Sequence, residues 1–222
     1  ETPTNPLMLE FDIEKLSKLA HAKGATVVVD NTFYSPIHQR PIEEGADIVL
    51  HSATKYLAGH NDVLAGVVVT DSADLYEKLF YNLNTTGAVL SPFDSYQLIR
   101  GLKTLSLRME RSTANAQEIV AFLEKSPAVK EVLYTGRGGM ISFKVADEKR
   151  IPHILNTLKV FSFAESLGGV ESLITYPTTQ THADIPSEVR HSYGLTDDLL
   201  RLSIGIEDAR DLIEDLHQAL EG

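Results

Sequence analysis

Three short β-branched runs, 25-ATVVVDN-31, 47-DIVL-50 and 63-VLAGVVVT-70, constrain the fold more than any other feature of the chain. The first is too short for a helix and too uniformly apolar for a strand with one wet face, so it reads as a buried parallel strand. Ahead of it, 9-LEFDIEKLSKLAHAKG-24 sets Leu9, Ile13, Leu16, Leu19 and Ala20 on one helical face, and Gly24 is a natural stop. The segment 43-EEGADIVLHSATK-55 repeats the scheme with a glycine turn, a strand over 47–50 and polar residues, and 63–70 makes a third such strand. Helix, strand, turn, strand is the pattern of an open α/β sheet, in which ligands bind at the carboxyl ends of the strands. The residues at those ends are 30-DNT-32 and 51-HSATK-55, so both fall on one rim.

From 94 to 126 the pattern is helical, interrupted at Gly101. Strands are then expected at 131-EVLY-134, 140-MISFKV-145 and 158-LKVFSFAES-166, and a closing helix over 207–222 puts Ile213, Leu216 and Leu220 on one face. The rise in strand content divides the chain into 1–101, part of an α/β domain, and 102–222, a smaller α+β domain. With 222 residues, 43% of them hydrophobic, the chain can bury a sizeable core. A net charge of −11 argues against nucleic-acid partners and a polybasic membrane surface. No apolar run reaches the length that spans a bilayer. The absence of cysteine excludes disulfides, thiolate metal ligands and a cysteine nucleophile, and it fits a cytoplasmic protein. The opening 1-ETPTNP-6 starts with no lead-in, and the chain is expected to be the C-terminal portion of a longer one.

Lys55 is the residue that asks for chemistry. Lysine is seldom buried without a partner, yet this one follows an apolar strand, between Thr54 and Tyr56. A lysine amine becomes a nucleophile when desolvation or a neighbouring cation lowers its pKa, and carbonyl cofactors, above all pyridoxal phosphate (PLP), capture it as a Schiff base. Such a site needs an acid on the pyridine nitrogen, donors for the phosphate and an arginine for the substrate carboxylate. Asp30 could supply the first, Ser52 and Thr54 the second, and Arg201, embedded in 199-LLRLSIGIED-208, the third. Plainer readings stand beside these. Asp30 could cap a turn, Arg201 could pair with Glu207 or Asp208, and Gly168 and Gly169 could be turn-formers. His51, His60 and Asp62 match no metal-ligand spacing, so no metal site is expected.

The stretches 1-ETPTNP-6, 28-VVDNTFYSP-36, 40-RPIEEGADIVLHSATKYLAGHNDVLAG-66, 165-ESLGGVESL-173, 181-THADIP-186 and 201-RLSIGIED-208 carry a resemblance that spans essentially the whole chain. It resembles the PLP-dependent enzymes of cysteine and methionine metabolism, the trans-sulfuration family of cystathionine γ-synthases, cystathionine γ- and β-lyases, O-acylhomoserine sulfhydrylases and methionine γ-lyases. The resemblance implies the aspartate-aminotransferase-like fold (fold type I) and a homotetramer with active sites shared between subunits. It implies that Lys55 is the Schiff-base lysine and proton shuttle, Asp30 the pyridinium partner, and Ser52 and Thr54 phosphate ligands. It further sets Thr32 against the ring, Asn5 near the phenolic oxygen, and Ser166 and Arg201 on the substrate α-carboxylate. The family's ring-stacking tyrosine, glycine-rich phosphate loop and the tyrosine–arginine pair lent by a neighbouring subunit have no counterpart in these residues, so a preceding segment is expected to complete the site.

The stretches 83–104 and 134–143 look most like bacterial cystathionine γ-synthases that also accept sulfide, and Glu165 before Ser166 resembles the γ-acting members, where it would steer the longer substrate. The expected reaction is γ-replacement on an O-acylhomoserine by cysteine, with sulfide as a possible second nucleophile. A cystathionine γ- or β-lyase or a methionine γ-lyase is the alternative, and an inactive PLP-binding scaffold is the reading outside enzymology.

Overall fold

The computed structural model describes residues 1–222. It falls into two compact units, Glu1–Thr2 with Glu10–Leu105, and Pro3–Leu9 with Ser106–Gly222. The first unit opens with α1 (Ile13–His21), whose N-cap Asp12 accepts the Lys15 N–H at 2.9 Å and satisfies one orphan donor of the first turn. A turn with Gly24 at φ +69° follows the helix. The expected apolar face is only partly used: Ile13 and Ser17 are buried, whereas Leu16 and Leu19 are 48% and 60% exposed and Leu9 lies before the helix.

Next come β1 (Val28–Asp30), the short α2 (Ser35–His38), a 3-10 turn over Pro41–Glu44 ended by Gly45 in the left-handed region, and β2 (Ile48–Ser52). β1 and β2 are parallel, as expected, with Val28 opposite Ile48 and Asp30 opposite Leu50. Val29 and Val49 pack with Ile13 and Ala46, while Val28 stays exposed. β3 (Gly66–Val69) departs from the expected scheme, because it runs antiparallel to β2 and is largely exposed. The connection explains the reversal. No crossover helix intervenes, and Thr54 fastens the two ends of the loop together, its N–H donating to Ala65 O at 3.2 Å and its hydroxyl accepting the Ala65 N–H at 3.0 Å. The chain therefore returns beside the strand it left. α3 (Ala73–Thr86), capped by Ser72 and closed by Gly87 at φ +70°, was not expected, although Leu75, Tyr76, Leu79, Phe80 and Leu83 recur at helical spacing; none of its residues is buried. α4 (Pro92–Leu102) contains Gly101, and the break comes at Lys103–Thr104 rather than at the glycine.

α5 (Leu105–Leu123) leads into the second unit, followed by β4 (Val129–Leu133), β5 (Met140–Val145), α6 (Ile151–Thr157), β6 (Ser162–Phe163), β7 (Leu173–Thr175), α7 (Ser187–Ser192), β8 (Leu199–Ser203) and α8 (Ala209–Glu221). The sheet order is β4-β5-β8-β7-β6, antiparallel except for the β6–β7 pair. One core joins Ala116, Ile119 and Leu123 of α5 to Leu212, Leu216 and Leu220 of α8 over Ile141, Phe143, Leu200 and Leu202 of the sheet. The strand expected over 158–166 is reduced to two residues for an identifiable reason. The buried Asp215 carboxylate accepts the N–H groups of Lys159, Val160 and Phe161 at 2.8, 2.8 and 3.0 Å and bends that stretch into a turn. Asp215→Ala leaves those three donors without their acceptor and is expected to lower unfolding stability by about 3 kcal/mol, within the range for hydrogen bonds to a charged group, as read from urea denaturation.

Candidate active site

The rim of the first unit is built where β1 and β2 end side by side. Asp30 closes β1, and its carboxylate accepts the Thr32 N–H at 2.9 Å. The Thr32 hydroxyl accepts the Ser52 N–H at 2.8 Å. Carboxylate, threonine and serine thus form a chain of hydrogen bonds across the two strand ends, which extends the ladder beyond the last pair, Asp30 with Leu50. Asp30 caps its turn and lies on the rim at once, so the plain and the functional readings of this residue coexist.

β2 runs into a π-helical turn over Ala53–Leu57, within which Lys55 departs from helical backbone at φ −91°, ψ −129°. The turn is closed behind the lysine by Ala58 N–H donating to Ala53 O at 3.0 Å and Gly59 N–H donating to Lys55 O at 2.8 Å. Lys55 is half-buried, as are Asp30, Thr32, Ser52 and Thr54. The Thr54 hydroxyl holds the Ala65 backbone. His51, one residue before Ser52, is buried at 7% exposure with Nδ1 lacking a hydrogen-bond partner. Burial holds its pKa below the ordinary 6.5, against the opposing pull of the Asp30 carboxylate. His60 contacts Ala58 O through Nδ1 at 2.7 Å and Asp62 accepts from Gln97 at 3.0 Å, so these two face separate protein partners.

The second unit gathers the other expected residues around Arg201. This side chain lies on β8 at 1% exposure, among Leu199, Leu200 and Leu202. A buried guanidinium requires oxygens on its donors. Nη1 donates to Asn5 Oδ1 at 2.9 Å, and Nη2 donates to Glu165 O at 2.8 Å, Ser166 O at 3.2 Å and Thr175 Oγ1 at 2.9 Å. Four expected residues, Asn5, Glu165, Ser166 and Arg201, are therefore one hydrogen-bonded group. Glu207 and Asp208, the alternative partners, are used elsewhere. Glu207 accepts from the Ser172 N–H and hydroxyl at 2.6 and 2.9 Å, and Asp208 caps α8 and pairs with Arg210.

Two residues escaped notice in the sequence. Thr175 and Ser142 both lie directly opposite Arg201 in the sheet, on β7 and β5. Thr175 bonds the guanidinium, while Ser142 donates to Pro6 O at 2.6 Å and so tethers the segment that carries Asn5. A hydroxyl on the strand facing an arginine in β-register was the available signal, but it required the pairing to be known.

Residues 1–221 match the family described as Cys/Met metabolism PLP-dependent enzyme. The chain belongs to that family. It is 59% identical over 220 residues to a cystathionine gamma-synthase/O-acetylhomoserine (thiol)-lyase of Bacillus subtilis, covering 99% of this chain and 59% of that protein. It is 53% identical over 219 residues to a cystathionine gamma-synthase of Haemophilus influenzae, again covering 99% of this chain and 59% of the relative. The crystal structure of a cystathione gamma lyase from Micromonospora echinospora superposes with a TM-score of 0.97 at 41% identity, covering all of this chain and 62% of that one. The aspartate-aminotransferase-like α/β fold expected from the sequence is thus the fold observed, and the chain spans about three fifths of the length of these relatives. The family's cofactor is PLP. A carboxylate and a threonine hydroxyl linked across the strand ends, followed in the chain by Ser52, Thr54 and Lys55, are residue types that suit a ring bearing a carbonyl, a basic nitrogen and a phosphate.

The depressed pKa of His51 gives a testable pH dependence. The unfolded chain binds a proton at this histidine more readily than the folded one, so the stability that neutral His51 contributes is complete above pH 6.5 and is lost as pH falls below it toward the folded value. Urea midpoints measured from pH 7.5 down to 5 are expected to fall across that interval, and to fall less steeply in His51→Gln.

Proposed function

We propose that the protein of which this chain is part is a PLP-dependent trans-sulfuration enzyme that performs γ-replacement on an O-acylhomoserine with cysteine, forming cystathionine. The observation that carries the reading is the rim at which Lys55 follows the strand ending in Ser52, with Asp30 and Thr32 hydrogen-bonded across to it. Both curated relatives reported above carry synthase names, which favours replacement over elimination. The lyase name of the structural relative favours a second reading, elimination from cystathionine.

In this reading PLP, when bound, supplies an electron-withdrawing ring that acidifies the carbons next to the substrate amine. Lys55 would hold the cofactor through its amine and would move the proton at the substrate Cα. Asp30 would pair with the pyridine nitrogen through its negative charge. Ser52 and Thr54 would hold the phosphate, the Thr54 hydroxyl having one lone pair beyond the one that accepts the Ala65 N–H. Thr32 would hold the ring, and Asn5 would bind near the phenolic oxygen. Arg201 presents its fork, with Ser166, to the substrate α-carboxylate, and Asn5 orients that fork from the side. Glu165, exposed beside Ser166, steers the longer γ-substrate. The reading also takes 1–101 and 102–222 as parts of two domains of a cytoplasmic homotetramer with shared active sites.

The complete enzyme is to be given O-acetylhomoserine with cysteine, and separately cystathionine alone. Cystathionine formation from the first pair supports the synthase, and rapid release of ammonia and keto acid from the second replaces it with the lyase. Lys55→Ala is expected to abolish the visible absorption of bound cofactor and to lower turnover by at least the roughly 10²–10⁴-fold that a positioned proton-transfer group contributes.

A further inference from the structure

Gly101 is the penultimate residue of α4, just before Leu102. It has ordinary helical backbone, so no turn or positive φ calls for it there. Close approach does. A Cβ at this position would fall within 2.9 Å of both the carbonyl carbon and Cα of Ala58, and nearer still to the Ala58 oxygen, all of them backbone atoms that cannot rotate away. Ala58 is 1% exposed and is the residue whose N–H closes the turn that holds Lys55. The helix therefore presses, backbone to backbone, on the closing peptide of the lysine turn. One helical turn earlier on the same face, Gln97 donates to Asp62 at 3.0 Å and ties down the loop that follows the turn. His60 contacts the same Ala58 carbonyl from within the loop at 2.7 Å.

We infer that Gly101 is a positioning residue for Lys55, acting through Ala58, and that Gln97 is its second point of attachment. The inference rests on the proposed role of Lys55. An alanine at 101 must drive α4 and the lysine turn apart until the new methyl clears the Ala58 peptide, a displacement on the order of 0.5–1 Å, and shifts of about 1 Å remote from the reacting atoms lower rates by up to about 10²-fold. Such a shift moves the amine without removing any group that binds cofactor or substrate.

The test uses the complete, PLP-loaded protein with Gly101→Ala, Gln97→Ala and Lys55→Ala side by side. Gly101→Ala is expected to keep its PLP and lower kcat by roughly ten- to a hundredfold, with KM within about twofold. It is also expected to move the pH midpoint of the visible cofactor band, which a loss of global stability would leave in place. Gln97→Ala, a change at a half-exposed side chain, is expected to move the same midpoint and kcat in the same direction by less. Wild-type kcat and an unmoved midpoint in Gly101→Ala overturn the inference. If Gly101→Ala does not fold, wild-type values in Gln97→Ala overturn it instead. Loss of the band in Lys55→Ala alongside an unaffected Gly101→Ala defeats only the positioning claim, whereas a Lys55→Ala variant that keeps its band and activity defeats the lysine reading and the positioning with it.

Discussion

A guanidinium at 1% exposure inside a five-stranded sheet imposes order on everything within its reach. Its charge cannot be shed at any ordinary pH, so the fold has to deliver oxygens to it. The sheet supplies one from Thr175, directly opposite Arg201 on the neighbouring strand. The segment after β6 supplies two carbonyls, from Glu165 and Ser166, and the chain's first residues supply the amide oxygen of Asn5. Ser142, on the other neighbouring strand, keeps that last segment in place through Pro6 O. Residue 5, residues 165–166 and residue 175 are thus joined to one side chain. Apolar residues of similar volume stabilise a sheet as well or better, so the cost of this buried charge is offset by the four protein oxygens that accept its hydrogen bonds.

The first unit solves a different problem with hydroxyls. Thr32 and Thr54 were expected at the rim for their contact with a cofactor, and each turns out to hold backbone as well. Thr32 Oγ1 fastens the end of β2 to β1, and Thr54 fastens the loop ends that bring β3 back beside β2. A threonine hydroxyl has one proton and two lone pairs, so a backbone duty leaves capacity for a second partner. The economy has a consequence for substitution. Changing either threonine alters strand geometry together with whatever its hydroxyl holds, so a lost activity there does not by itself separate binding from architecture.

What the sequence made legible follows from how local each signal is. The parallel pairing of β1 and β2, the bounds of β5 and the closing helix α8 came from short-range periodicity, and they are as expected. The site residues around Arg201 came as a list, whereas their assembly into one hydrogen-bonded group depends on strand register, which no local pattern contains. The antiparallel β3 was misread because its apolar run looks like its predecessors, and its direction is decided by a threonine contact across the loop. α3 was legible and went unread: Leu75, Tyr76, Leu79, Phe80 and Leu83 keep helical spacing between Ser72 and Gly87, the residues that cap it. Leu16, Leu19 and Val28 show the converse. Their apolar pattern predicts burial, yet all three are exposed.

The turn that carries Lys55 is held by its neighbours. In this turn the constraints fall on backbone: Ala58 and Gly59 close it, Thr54 anchors its entry, and the bare Cα of Gly101 lets a helix brace it from behind. The backbone atom from which the side chain extends is therefore set by contacts of the residues around it. Gly101 of α4 and the hydroxyl of Thr54 thus both bear on the backbone of one turn.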